Sequence, residues 1–201
     1  MIYFKNEGSK KYPDSEHYFK IITENNGHFN AYTDKEITNY FFDIHYSEFE
    51  NALDIFSRFF IDPLLSSEKI DKEINAVNSE YEKNLISDNK KKSQIFAFLA
   101  KKENPLHRFS TGNTFSLKNQ SEIYNLNLQD ELKKLHQKFY TADKMKLVVY
   151  TRDSIDDIEY LIENKFSEIK KASNSSFLKT TLQKNIENPF SNDILVKFLF
   201  I

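Results

Sequence analysis

The period of the apolar residues changes within one short stretch, and that change limits the fold more than any other feature of the chain. In "TNYFFDIHY", Tyr40, Phe42, Ile44 and Tyr46 alternate with Asn39, Phe41, Asp43 and His45. This is the two-residue period of a strand with one face buried. Immediately afterwards, Phe49, Ala52, Leu53, Phe56, Phe59 and Phe60 fall at helical spacing. Ser47 is placed to cap that helix, and Pro63 ends it. A strand that runs straight into a strongly amphipathic helix needs a core shared between sheet and helix.

The rest of the chain extends this pattern. "HFNAYT" reads as a strand beside 39–46, joined to it through the polar "DKE". Asp14 or Ser15 can cap a helix running to about Glu24, with Tyr18, Phe19, Ile21 and Ile22 on its apolar side. Ser66 or Ser67 opens a further helix with Ile70, Ile74, Val77 and Tyr81 as its stripe. Another helix is predicted over Ser93 to Lys102, followed by an ordered loop, "ENPLHRFSTGNTFSL". "LQDELKKLHQKFY" is predicted as a helix built on Leu128, Leu132, Leu135 and Phe139. "KMKLVVYT" reads as a strand. Ser154 with Asp157 resembles a capping box for "IDDIEYLIENKFSEIKK". Residues 172–193 are polar and irregular, and "DILVKFLFI" reads as a strand. No internal repeat is present. The predicted class is α+β, an antiparallel sheet packed against helices rather than a regular βαβ alternation.

Composition narrows the function classes. Net charge is −2, from 28 basic and 30 acidic residues mixed along 201 positions. A nucleic-acid partner is not expected, because such a surface gathers a basic excess. The chain has no cysteine, which excludes disulfides, thiolate metal sites and a Cys nucleophile without naming a compartment. No apolar run is long enough for a membrane span. Three glycines, never clustered, exclude a phosphate loop, and there is no G-x-S-x-G.

The stretch "DKEINAVNSEYEKN", residues 71–84, carries the candidate chemistry. At roughly 100° per residue, Glu73 and Glu80 are seven residues apart and nearly in register. They flank the apolar stripe, whereas Glu82 projects to the opposite side. Glu80 can thus reach a partly buried site, with Glu73 one layer away. A lone inward carboxylate can equally cap another helix or pair with an Arg. The histidines are His17, His28, His45, His107 and His136, and no two are three or four residues apart. There is no H-E-x-x-H and no H-x-x-E-H, and spacing selects none of the five as a ligand.

Several motifs in order give the chain a wider identity. They are "GSKKYP" at 8–13, "GHFNAYTDKEITNYFFDI" at 27–44, "NALDIFSRFFIDPLL" at 51–65, "DKEINAVNSEYEKN" at 71–84, "STGNTFSL" at 110–117 and "LHQKFYTADKMKLVVY" at 135–150. Together they resemble the insulinase family of zinc metallopeptidases, in its insulin-degrading branch. The match weakens after about residue 172. It implies that 1–172 are the central and C-terminal part of an insulinase-like N-terminal catalytic domain. Residues 173–201 would then be a linker and the start of the next such domain.

The resemblance also implies roles. Glu80 falls at the position of the family's third zinc ligand. Glu73 falls where an acid orients a zinc histidine from behind and so fixes its ring. Asn30, Ala31 and Tyr32 match the strand that pairs with an extended peptide substrate, a form of β-augmentation. The chemistry implied is zinc-assisted peptide hydrolysis, with the metal polarising water and the scissile carbonyl. In the family, an H-x-x-E-H helix supplies two His ligands and the catalytic Glu, and "MIYF" matches the residues just after it. The 201 residues lack that motif, and "KNE" before "GSKKYP" is a small insertion. The expectations are zinc as cofactor with one ligand present, and a peptide substrate and the remainder of a peptidase as partners. The chain alone is expected to be inactive. The alternative is a noncatalytic insulinase-like subunit with an interaction or scaffolding role.

Overall fold

A computed structural model describes residues 8–34, 37–109 and 111–172. The expected strand pair forms. β1 (His28–Thr33) runs antiparallel to β2 (Thr38–Asp43), in the register Phe29↔Phe42, Asn30↔Phe41 and Ala31↔Tyr40. Ala31 is buried, and Phe29, Tyr40 and Phe42 turn inward to the core, while Asn30, Tyr32 and Phe41 face outward. The sheet therefore has one packed face, as the alternation requires.

Helix α1 (His17–Glu24) crosses beneath the sheet and contributes Tyr18 and Ile22. Neither Asp14 nor Ser15 occupies its N-cap position, which is Glu16. Asp14 instead accepts a bond from the Glu16 amide at 2.9 Å, tightening the approach to the helix. Helix α2 (Phe49–Ile61) is the centre of the molecule, with Ala52, Leu53, Ile55, Phe56, Phe59 and Phe60 all buried. Tyr18 lies edge-on to Phe59 and Phe29 at ring distances of 4.9 and 5.3 Å. Each fully buried side chain of this size contributes about 1.5–3 kcal/mol. This aromatic cluster is therefore a principal source of the core's stability.

The predicted Ser47 cap is corrected. Tyr46–Glu48 form a short 3-10 turn, and the His45 ring accepts from the Ser47 amide. Tyr46 is consequently exposed rather than a strand residue.

Helix α3 (Ser67–Leu85) follows, with Ile70, Ile74 and Val77 buried, and then α4 (Asp88–Leu99), which starts earlier than expected. The 103–117 loop contains a 3-10 turn at Pro105–His107. It leads into a π-turn at Phe115–Asn119 and the short α5 (Gln120–Ile123). In α6 (Leu128–Phe139), Leu132 and His136 are the buried residues, and Leu135 and Phe139 are exposed. The expected apolar stripe is rotated because His136, one turn after Leu132, takes the inward position. Its ring stacks on Tyr140 at 4.8 Å, and Nε2 lies 3.4 Å from the Phe59 carbonyl.

The capping box is present. The Ser154 hydroxyl accepts from the Asp157 amide at 3.2 Å and opens α7 (Ile155–Phe166).

"KMKLVVYT" is not a strand in this structure. Residues 145–151 have no ladder partner among the described residues. An extended apolar run becomes a strand only when a neighbour supplies the matching backbone groups. The predicted strand "DILVKFLFI" and the irregular stretch from residue 173 lie outside the described residues.

Candidate functional site

Helix geometry brings Glu73 and Glu80 to one side of α3, but the two environments differ. Glu73 is half-buried beside the Ile70–Ile74–Val77 stripe, whereas Glu80 is exposed. The expectation that Glu80 reaches a partly buried site is therefore not met among the described residues. The physical reason is local. Val77 is the last fully buried residue of the stripe, and Tyr81, one turn on, is only partly covered, edge-on to Phe109 at 6.0 Å. Seven residues at 1.5 Å rise separate the two carboxylates by roughly 10 Å along the axis, too far apart to bind one ion together. Glu82, on the other side, is exposed and accepts from Asn78 Nδ2 at 2.8 Å.

The 111–119 segment braces the opposite flank of α3. The Thr114 amide donates to Asn78 Oδ1 at 2.9 Å. Gly112 packs so closely that a Cβ there would stand 3.1 Å from Val77 Cγ1 and 2.8 Å from Leu117 Cδ1. The absence of a side chain lets this loop hold the middle of α3 in place, and with it the helix that carries both glutamates.

Zinc can be tested against this donor set. A catalytic zinc takes three protein ligands and leaves one position open. No group of three His, Cys, Asp or Glu among the described residues could hold a metal ion. The described residues alone therefore do not fit the ion.

The candidate substrate strand is placed more favourably. β1 pairs with β2 on one side, and no third strand pairs with its other edge among the described residues. Ala31 is buried, Tyr32 is exposed, and the Asn30 side-chain oxygen accepts from the Ala31 amide at 2.9 Å. Such an edge can receive an extended backbone. β1 packs chiefly against β2 and α1, and α3 chiefly against α4.

The sequence reading missed a polar cluster around Asp54, which is buried midway along α2. Lys11 Nζ donates to Asp54 Oδ2 at 2.6 Å, the Tyr12 hydroxyl donates to the same oxygen, and Lys165 Nζ is 3.9 Å from Oδ1. Burial by itself raises the Asp54 carboxyl. The bonds from Lys11 and Tyr12 and the nearby Lys165 outweigh it and hold the group below its ordinary value. The one sequence signal was an acid lodged between Leu53 and Ile55 in an otherwise apolar stretch.

The five histidines are all accounted for locally. His17 stacks on Tyr12, His28 meets Asp43 at 3.2 Å, and His45 caps the 3-10 turn. His107 meets the Ala100 carbonyl at 3.0 Å, and His136 is buried. Burial lowers the His136 imidazole, opposed by the Phe59 carbonyl.

Comparison with known proteins agrees with this architecture. Residues 2–103 match the family described as insulinase, peptidase family M16, and residues 127–195 match the peptidase M16 inactive domain. The insulin-degrading enzyme-like 1, peroxisomal, of Arabidopsis thaliana is 44% identical over 162 residues, covering 81% of this chain and 17% of that protein. The insulin-degrading enzyme of Mus musculus is 35% identical over 188 residues, covering 94% and 18%. The crystal structure of pitrilysin superposes with a TM-score of 0.78 at 24% identity, over 86% of this chain and 18% of the other, which establishes the fold. The chain thus spans less than a fifth of the length of these relatives. With a family match over half of its residues and a shared α+β architecture, the chain belongs to the insulinase family, peptidase family M16.

Proposed function

We propose that these 201 residues form part of the catalytic unit of a zinc metalloendopeptidase that hydrolyses peptides and small proteins. The observation that carries this reading is the match of residues 2–103 to the insulinase family, a span that contains Glu73 and Glu80 on one side of α3. Glu80 contributes one metal-binding carboxylate. Glu73 acts as a positioning residue behind another ligand, where its partial burial limits its motion. Asn30, Ala31 and Tyr32 offer the backbone edge along which an extended peptide lies. For such a peptide to pair, its carbonyl must replace the Asn30 side chain at the Ala31 amide.

The 201-residue chain contains no H-x-x-E-H. A single carboxylate does not retain zinc, so the isolated chain is inactive and binds the ion weakly. The experiment is direct. The purified chain is incubated with a quenched fluorescent peptide and zinc, with and without chelator, and zinc affinity is read by a competing indicator. No turnover and only weak binding are expected. Robust hydrolysis abolished by chelator overturns the reading of the isolated chain.

A second reading is a noncatalytic insulinase-like subunit that binds partners or acts as a scaffold. The readings separate in the longest product of the same transcript. Chelator-sensitive activity lost in Glu80→Gln supports the peptidase. Peptide binding without turnover, unchanged by Glu80→Gln, supports the subunit.

A further inference from the structure

The chain has three glycines, and one of them, Gly27, follows an asparagine. A glycine nitrogen, unhindered by a side chain, reaches the preceding asparagine amide carbon more readily than that of any bulkier residue. The fold sets this reactive pair at a helix end. Helix α1 stops at Glu24, Asn25 is its C-cap residue, and Asn26 turns to φ +54°. The Gly27 amide then donates back to the Ile22 carbonyl at 2.8 Å. This is the usual closure of a helix by a left-handed residue. Asn26 is exposed, and its side chain makes no hydrogen bond among the described residues. The electrophilic carbon is thus open to water, while one hydrogen bond holds the nucleophile away from it.

That bond belongs to a weak helix end. With eight residues, α1 is shorter than a helix that stands on its own. Its last turn holds Glu24 and no basic side chain, the unfavourable sign for that pole. Tyr18 and Ile22 pin the helix to the core, so its end opens locally and without the rest of the fold. Asn78, which precedes Ser79, is a useful contrast. It lies inside α3 with its amide bonded at both ends, to Glu82 and to the Thr114 amide.

We propose that Asn26 is a modification site. Its side-chain amide is lost in the folded chain, gated by release of the Gly27 amide from Ile22, and the product detaches the start of β1. The chemistry needs only water. The Gly27 nitrogen gives up its proton and bonds to Asn26 Cγ, the Cγ–Nδ2 bond breaks, and ammonia leaves with the proton. Water then opens the cyclic imide at either carbonyl, which leaves aspartate or isoaspartate at position 26. Isoaspartate routes the main chain through Cβ and lengthens it by a methylene group directly before Gly27. The fold has no room for that. A Cβ on Gly27 would already stand 2.3 Å from the Asp43 carbonyl oxygen and 3.0 Å from Ile22 Cγ2. The displacement therefore falls on His28, which pairs with Asp43 in the strand register and whose amide donates to the Asp43 carboxylate at 3.1 Å. Weaker peptide binding along Asn30–Tyr32 would follow, a consequence that rests on the reading of β1 as the substrate edge.

The folded 201-residue chain and the same chain in urea are aged side by side in mildly alkaline buffer. Peptide mapping locates each converted asparagine, and an isoaspartyl methyltransferase marks isoaspartate. In the folded chain Asn26 should convert before any other asparagine. Its slowing relative to urea should match the hydrogen-exchange protection of the Gly27 amide within about threefold, because one opening controls both. In the isoaspartate product the amides of 28–30 should exchange at least about tenfold faster. Asn26→Asp adds the charge without the methylene and should leave those amides protected. Asn26→Gly keeps the left-handed turn and should age with β1 unchanged. The proposal is overturned if Asn26 stays intact in the folded chain while it converts in urea, or if another asparagine converts first. It is equally overturned if conversion ignores Gly27 exchange, or if isoaspartate leaves 28–30 protected. None of these readouts uses zinc or a substrate. An opened β1 that still binds peptide unchanged refutes the substrate edge alone, and an intact Asn26 refutes the modification site alone.

Discussion

Replacing Asp54 should loosen the whole N-terminal turn, because this one carboxylate gathers three separate segments. Residues 8–12 fold back on themselves through the Ser9 amide and the Tyr12 carbonyl at 2.8 Å. They attach to the end of α2 through Lys10 to Asp62 at 3.2 Å and Leu64 to Gly8 at 3.0 Å. Asp54 adds Lys11 and Tyr12 from that turn and Lys165 from α7. A bond to a buried charged group is worth about 1.5–3 kcal/mol, and the Tyr12 hydroxyl makes one. The Lys11 side chain is 44% exposed, so water screens its pairing and about 0.5–1 kcal/mol is appropriate. Asp54→Ala should therefore cost about 2–4 kcal/mol, with a fall in Tm of roughly 5–12 °C for a chain of this size. Urea denaturation followed by circular dichroism measures this. A double-mutant cycle with Tyr12→Phe should return a coupling of about 1–2 kcal/mol. The contribution also depends on pH. The folded Asp54 carboxyl lies below 3.8, so its stabilisation is complete above that value and disappears as pH falls through the folded pKa. A loss below about 0.5 kcal/mol, with no coupling to Tyr12 and no faster exchange at residues 8–12, refutes the assignment of Asp54 as the anchor.

Other outcomes follow from the same structure. His136 is held neutral by burial, so the unfolded chain binds the extra proton first, and stability should decline as pH drops below 6.5. His136→Gln should flatten that slope in pH-dependent urea titrations. Tyr40→Phe removes the 2.6 Å bond between the Tyr40 and Tyr140 hydroxyls, at a cost of about 0.5–1.5 kcal/mol by the same assay. Ser154→Ala deletes the cap of α7 and should cost about 0.5–2 kcal/mol, with exchange increasing first at Ile155–Ile158. Asn26 has φ +54°, so Asn26→Gly should be nearly neutral and Asn26→Ala should lower stability by about 1 kcal/mol in thermal melts.

Local period decided the elements that depend only on neighbours along the chain. The alternation expected over 39–46 holds as far as Asp43, and the stripe of α2 and the Ser154–Asp157 box are present at their expected places, because side-chain direction and capping are short-range. The placement of Glu73 and Glu80 on one side of α3 follows from the helical repeat in the same way. Tertiary structure decided what each face meets. It left Glu80 in water and Asp54 buried among Lys11, Tyr12 and Lys165, although both are acids flanking an apolar stripe. It turned His136 inward in place of Leu135, and it left Leu147, Val148 and Tyr150 without a ladder partner among the described residues. A sequence period specifies which residues share a face. Burial, pairing and charge depend on which distant segment covers that face, and no local pattern carries that information.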